Sequence, residues 1–202
     1  MASQHVETQA EWEIRMGEKV LAFVQNELYM EMRFLKRALS VLVWKPKEGL
    51  MALATDGTCL YYKPEHVIRV FQSNSAFLDR AYLHSVLHCL FFHLWTRQGR
   101  NEKLWQIACD IAVEYTIDRM NKQCVKRALS YLREQVYKEV SESEAAVSAG
   151  TVYQWLMVQS QNRLSQLWKE FYTDDHAFWP KEEQENAMQM PQRKVWEKIA
   201  RQ

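Results

Sequence analysis

His84 and His88 are the residues whose type and spacing most directly suggest chemistry. They stand in the run His84-Ser85-Val86-Leu87-His88-Cys89-Leu90-Phe91-Phe92-His93. A helix turns about 100° per residue, so positions i and i+4 lie about 40° apart, one turn above each other. Two imidazoles so placed can grip a metal ion from one helix face. The rest of the run is apolar all round, as expected of a buried helix. A buried polar group without a partner costs on the order of 1–3 kcal/mol. A metal satisfies both rings at once; hydrogen bonds to carboxylates are the ordinary alternative.

The residue after the first histidine decides what such a centre can catalyse. In H-E-x-x-H helices a Glu stands there and acts as general base on metal-bound water. Here the position is Ser85, whose hydroxyl is too weakly basic for that role near neutral pH. The motif can bind a metal but lacks its base. His93 falls about 180° from His84 on an unbroken helix, and no Gly follows His88 to permit a sharp turn. His93 is therefore expected to support a ligating ring or to stand apart.

Two histidines need a third protein ligand to hold zinc. The stretch Ile107-Ala108-Cys109-Asp110-Ile111-Ala112-Val113-Glu114 supplies two acids at i, i+4 on one helical face. A carboxylate in so apolar a helix needs a metal, a cation or donors. Asp110 is the expected ligand. Glu114 is expected to hydrogen-bond a ligating imidazole or to stand in as base. The plainer alternative pairs both acids with cations such as Arg119 or Lys122.

Positioning these groups requires helices. Apolar spacing predicts one long helix or two in sequence over residues 9–40, ended by Lys45-Pro46-Lys47-Glu48-Gly49. Met51–Ala54 and Cys59–Tyr62 flank Thr55-Asp56-Gly57-Thr58, a strong hairpin signal and the best strand evidence in the chain. Pro64 opens a further helix. Ser73-Asn74-Ser75 caps the histidine helix, predicted over 76–95. Helices are then predicted over 102–120 and 122–140. Residues 141–150 read as a surface loop. Helices follow over 151–160 and 162–172, Asp174-Asp175-His176 is a break, and an amphipathic stretch runs from Glu182 to Ala200. The fold class expected is α+β, predominantly α-helical, with a small β-hairpin or sheet. It forms one domain over 1–202, with N-terminal helices (9–45), the hairpin and metal-site helices (50–140) and C-terminal helices (150–202).

Composition narrows the function. Lys and Arg total 26 against 25 Asp and Glu, with no basic block. Nucleic-acid and anionic-membrane roles have no electrostatic support. The N-terminus is polar, unlike a secretory signal, and the longest apolar stretch is too short to cross a bilayer. A soluble, cytoplasmic protein is expected. The four cysteines, Cys59, Cys89, Cys109 and Cys124, form no C-x-x-C pair and read as buried free thiols.

Taken in order, Ala54-Thr55-Asp56-Gly57, Tyr61-Tyr62-Lys63-Pro64-Glu65, His84-x-x-x-His88 with His93, Trp105–Val113 and Asp174-Asp175-His176-Ala177-Phe178-Trp179 form a pattern. It resembles the metallopeptidase domain at the N-terminus of bacterial VWA-like domain-containing proteins, over roughly residues 10–180. The resemblance implies a zincin-like fold and a zinc ion held by His84, His88 and Asp110. It also implies that Asp175 and His176 line or support the same cleft. The family pattern has Glu where this chain has Ser85, which weakens the case for hydrolysis and leaves that for metal binding. Relatives usually continue into a VWA-like domain and are linked with AAA-type ATPases, which implies partners of that kind. Two functions are therefore expected to compete. One is an enzyme in which Glu114, His176 or Asp175 replaces the missing base. The other is a pseudo-peptidase that binds a peptide or protein, or serves as a scaffold.

Overall fold

Thr8 and Glu11 start the first helix reciprocally. The Thr8 hydroxyl accepts from the Glu11 amide at 3.3 Å, and the Glu11 carboxylate accepts from the Thr8 amide at 2.8 Å. The computed structural model describes residues 6–143, 146–181 and 190–201. Helix α1 (Gln9–Glu31) is followed by a single 3-10 turn and the short α2 (Lys36–Leu39). The expected break within residues 9–40 thus falls at Met32.

The predicted hairpin forms. Strand β2 (Ala54–Thr55) pairs antiparallel with β3 (Cys59–Tyr62), in register Ala54 to Tyr61 and Thr55 to Leu60. Asp56 caps the turn, its Oδ1 accepting from the amides of Thr58 and Cys59 at 2.8 and 2.7 Å. Gly57 has φ +85°, and a Cβ there would lie 2.5 Å from the Trp95 ring; only glycine fits. A strand not foreseen, β1 (Val43–Pro46), runs parallel to β3, giving the sheet order β1-β3-β2. Lys45-Pro46 thus ends an edge strand rather than a helix. Four mostly exposed residues with a Lys and a Pro carry almost no strand signature.

Helices α3 (Pro64–Ser73), α4 (Ser75–Leu90) and α5 (Glu102–Met120) follow. Asn74 caps α4 by accepting from the Ala76 amide at 3.1 Å, and Asn101 caps α5 by accepting from Leu104 at 3.1 Å. Helix α4 stops five residues before the predicted Trp95, because Phe92 adopts φ 59° and a 3-10 turn, His93–Trp95, follows. The helix predicted over 122–140 also starts late. Asn121 turns left-handed at φ 49°, Gln123–Val125 make one 3-10 turn, and α6 spans Tyr131–Ser143. The intervening backbone is engaged elsewhere: the Val125 carbonyl accepts from the buried Arg80 guanidinium at 3.0 Å. Helices α7 (Ala149–Met157), α8 (Gln161–Phe171) and α9 (Met190–Ala200) complete the described chain. Of the amphipathic stretch expected from Glu182, residues 182–189 lie outside the described residues. The molecule is a predominantly helical α+β fold. All four cysteines are free and buried.

Two apolar clusters organise the packing. One gathers α1, the sheet, α4 and Trp196 of α9; the other gathers the N-terminal half of α5 with α6, α7 and α8. Helix α5 contributes to both, and Trp179 packs against both. The fully buried Trp196 donates its indole N–H to the Gly57 carbonyl at 2.7 Å, fastening α9 to the hairpin. Among the described residues no helix is long and apolar enough to cross a membrane.

Asp79 of α4 is buried, with one carboxylate oxygen lacking a partner. Burial, reinforced by repulsion from Glu27, raises its pKa to about 7. The folded chain therefore keeps a proton that the unfolded chain releases above about pH 4. Its contribution to stability is present below that pH and is lost as pH rises toward 7. Asp79→Asn is expected to gain on the wild type by up to about 1.4 kcal/mol per pH unit between pH 4 and 7, levelling off above. Urea unfolding at pH 5, 6, 7 and 8 checks this; a stability difference independent of pH contradicts it.

Candidate metal centre

Helices α4 and α5 lie side by side and antiparallel. Arg80 meets Asp118 at 2.7 Å, His84 meets Glu114 at 2.9 Å and His88 meets Asp110 at 3.3 Å, so one number climbs as the other falls. His84 and His88 point from one face of α4, as their spacing requires, with their Nε2 atoms 2.7 Å apart. Asp110 of α5 presents Oδ1 at 3.5 Å from His84 Nε2 and 3.3 Å from His88 Nε2. The third side of the site is the segment after α8. Asp174 Oδ1 lies 3.4 Å from His84 Nε2 and 3.8 Å from His88 Nε2. His176 Nε2 lies 3.1 Å from Asp110 Oδ1 and 2.9 Å from Asp174 Oδ1.

These separations are short, yet Asp110 Oδ1, Asp174 Oδ1 and His176 Nε2 are buried and make no hydrogen bond. The atoms face a common point rather than one another. Two donors about 2.0–2.1 Å from one tetrahedral zinc sit roughly 3.3 Å apart, which is the spacing most of these pairs show. The two histidine Nε2 atoms are closer than that and would part by roughly 0.6 Å to share a tetrahedral ion. His84, His88, Asp110 and Asp174 form a cluster able to hold a metal, and His176 borders it. Imidazole and carboxylate donors suit a divalent transition metal. The residues fit the group.

The surroundings fix the donors' orientation. His84 Nδ1 lies 2.9 Å from Glu114 Oε1, the carboxylate–histidine pairing that orients metal-bound imidazoles. The other Glu114 oxygen accepts from Arg80 at 2.9 Å and from Arg133 at 2.6 Å; both guanidiniums are buried. His88 Nδ1 lies 3.0 Å from His93 Nδ1. Ser85 donates its hydroxyl to Asp174 Oδ2 at 3.2 Å. Trp179 covers the site, its ring 4.1 Å from that of His176 and 5.0 Å from that of His88.

Charge follows this arrangement. Burial disfavours the imidazolium of His84, but Asp174, Asp110 and Glu114 outweigh it and hold its pKa well above the usual value. His176 behaves likewise, opposed by burial and raised to about 10 by Asp110 and Asp174. Burial opposes ionisation of Asp110 and Asp174 too, but the cluster's histidines prevail, and both pKa values are lowered. Burial drives His93 well below the usual histidine range. The cluster stabilises positive charge at its focus, whether carried by protons or by a cation.

The sequence pattern of the family described as a putative metallopeptidase domain matches residues 26–202. The chain belongs to that family. Neither the curated proteins nor the solved structures provide a match. Within this chain, His84, His88 and Asp110 come together. Glu114 sits behind His84, paired with Arg80 and Arg133 instead of Arg119 or Lys122. Its carboxylate faces away from the focus and is committed to three partners. His93 reaches His88 because left-handed Phe92 bends the chain without a glycine.

Asp175, expected to line the cleft, turns its carboxylate to the Ala177 amide at 2.9 Å. Asp174 is the acid in the cluster. The signal for this was present in Asp174-Asp175-His176. Asp175 bridges in parallel with Ala54, and its amide donates to the Leu53 carbonyl at 2.7 Å. Along extended chain, alternate side chains share a face. Asp174 and His176 therefore point together and Asp175 points away.

Proposed function

We propose that this metallopeptidase-family domain binds one divalent metal, with zinc the best fit, at His84, His88, Asp110 and Asp174, with His176 beside it, and that it is a weak or inactive peptidase. The observation that carries the reading is that Asp110 Oδ1, Asp174 Oδ1 and His176 Nε2, all buried and without a hydrogen bond, converge on the paired Nε2 atoms of His84 and His88. Bound there, zinc would supply Lewis acidity and hold α4, α5 and the segment after α8 together. The chain's own residues offer little else for hydrolysis. Asp110 and Asp174 belong to the donor set. Glu114 is locked between His84 and two arginines. Ser85 donates its hydroxyl hydrogen bond to Asp174. A carboxylate at position 85 would confront that of Asp174. The donor side chains are all nearly inaccessible, His176 being the most exposed at 6%, which leaves a peptide no direct approach.

The companion reading is a cytoplasmic binding or scaffold module working with a VWA-like domain or an AAA-type ATPase. An apolar cavity of about 630 Å³ supports it, lined by Phe34, Leu35, Phe91 and Ile199 together with Arg33 and Lys36. A groove of that make-up suits a protein surface with acidic and apolar groups.

The test is peptide cleavage by the zinc-supplemented full chain. Loss of a general base costs about 10²–10⁴-fold in rate. Turnover of a mixed peptide library is therefore expected to be no faster than in a chelated control. Rapid, chelator-sensitive cleavage would overturn the pseudo-peptidase reading.

A further inference from the structure

Ser85 occupies the position of the missing base, and its surroundings give it a different task. It is fully buried on α4, between His84 and the apolar core. Its hydroxyl donates to Asp174 Oδ2 at 3.2 Å. Asp174 belongs to a segment tied to the edge of the sheet by the Asp175 amide, at 2.7 Å from the Leu53 carbonyl, and by the Ala54–Asp175 bridge. Those contacts hold the backbone of the segment; the buried Asp174 carboxylate itself accepts a hydrogen bond from Ser85 through Oδ2. With Oδ2 held by Ser85, Oδ1 lies 3.4 Å from His84 Nε2 and 2.9 Å from His176 Nε2, turned to the focus of the cluster. The orienting partners of metal-bound side chains commonly matter to affinity almost as much as the ligands do.

We propose that Ser85 is a positioning residue: its hydroxyl sets the Asp174 carboxylate as a metal ligand and so closes the centre with a side chain from outside α4 and α5. This rests on the metal-binding reading above. Ser85 and Asp174 then act as one unit. A small neutral donor at 85 admits a second carboxylate to the site, whereas an acid at 85 repels it. The chain is built to hold its metal, and residues 174–179 act as the clasp.

The experiment measures zinc affinity of the full chain by competition with a chromophoric chelator, for the wild type, Ser85→Ala, Ser85→Gly, Asp174→Asn and Ser85→Ala/Asp174→Asn. Ser85→Ala is expected to bind about 10–100-fold more weakly at unchanged stoichiometry. Ser85→Gly also removes the hydroxyl without introducing a metal ligand, and is expected to follow it; it serves in place of Ser85→Ala if that variant fails to fold. In the Asp174→Asn background, Ser85→Ala is expected to change affinity less than about twofold, because both changes remove one interaction. The visible spectrum of the cobalt(II) form is expected to change alike in Ser85→Ala and Asp174→Asn. Zinc binding by Ser85→Ala as tight as the wild type's, or a loss that adds fully to that of Asp174→Asn, overturns the proposal and leaves the metal centre standing. A wild type that binds no zinc overturns both.

Discussion

Glu114→Ala is expected to destabilise the metal-free domain by about 3–5 kcal/mol, the usual cost of removing one partner from a buried ion-pair network. Glu114 is completely buried. It accepts from Arg80 and Arg133 through one oxygen and faces His84 Nδ1 with the other. Truncation strands two buried guanidiniums. Asp118 partly compensates Arg80 at 2.7 Å, and Glu170 partly compensates Arg133 at 2.8 Å. Stabilities of whole domains are only about 5–15 kcal/mol, so the variant should approach global unfolding. Where it folds, His84 loses its orienting carboxylate and zinc affinity should drop about 10–100-fold. Glu114→Gln keeps the volume and one acceptor and should fall between the two. Urea unfolding under chelation gives the first number. A loss below about 1 kcal/mol would mean the network contributes no more than a surface ion pair does.

Zinc itself is expected to be the other large effect. A ligand that binds only the folded state adds about 4 kcal/mol when its free concentration is a thousandfold above Kd. The donors come from α4, α5 and the 174–176 segment, so unfolding must dismantle the site. Zinc should raise the melting temperature of the wild type, chelation should reverse the rise, and His88→Ala should abolish it. Residues 174–179 are held to the sheet by few backbone bonds, and should show the largest zinc-dependent slowing of amide exchange. Equal melting temperatures with and without zinc would contradict this.

How much of this was legible depends on which period each residue obeys. His84, His88, Asp110 and Glu114 lie on regular helices, where i, i+4 spacing translates directly into a shared face. The antiparallel meeting of α4 and α5 is made by the connection over residues 91–101, which includes the 3-10 turn His93–Trp95. His93 was less legible because its approach to His88 depends on one left-handed residue, Phe92, which sequence gives no reason to expect in a non-glycine. Asp174 was obscured because it lies in extended chain. Reading period 2 there would have selected Asp174 and His176 over Asp175. Arg80 and Arg133 join Glu114 from 34 and 19 residues away, and nothing local marks them. Strand β1 escaped for a related reason: its order comes from pairing with β3, not from its own composition.

Metal content tests the central claim most directly. The purified full chain is incubated with excess zinc, freed of loose ions by gel filtration and analysed for metal, beside His88→Ala treated identically. The expected result is about one zinc per wild-type chain and essentially none in the variant. A folded wild type that retains no zinc, or a His88→Ala protein that retains as much as the wild type, would contradict the assignment of these buried histidines and aspartates as a coordination centre.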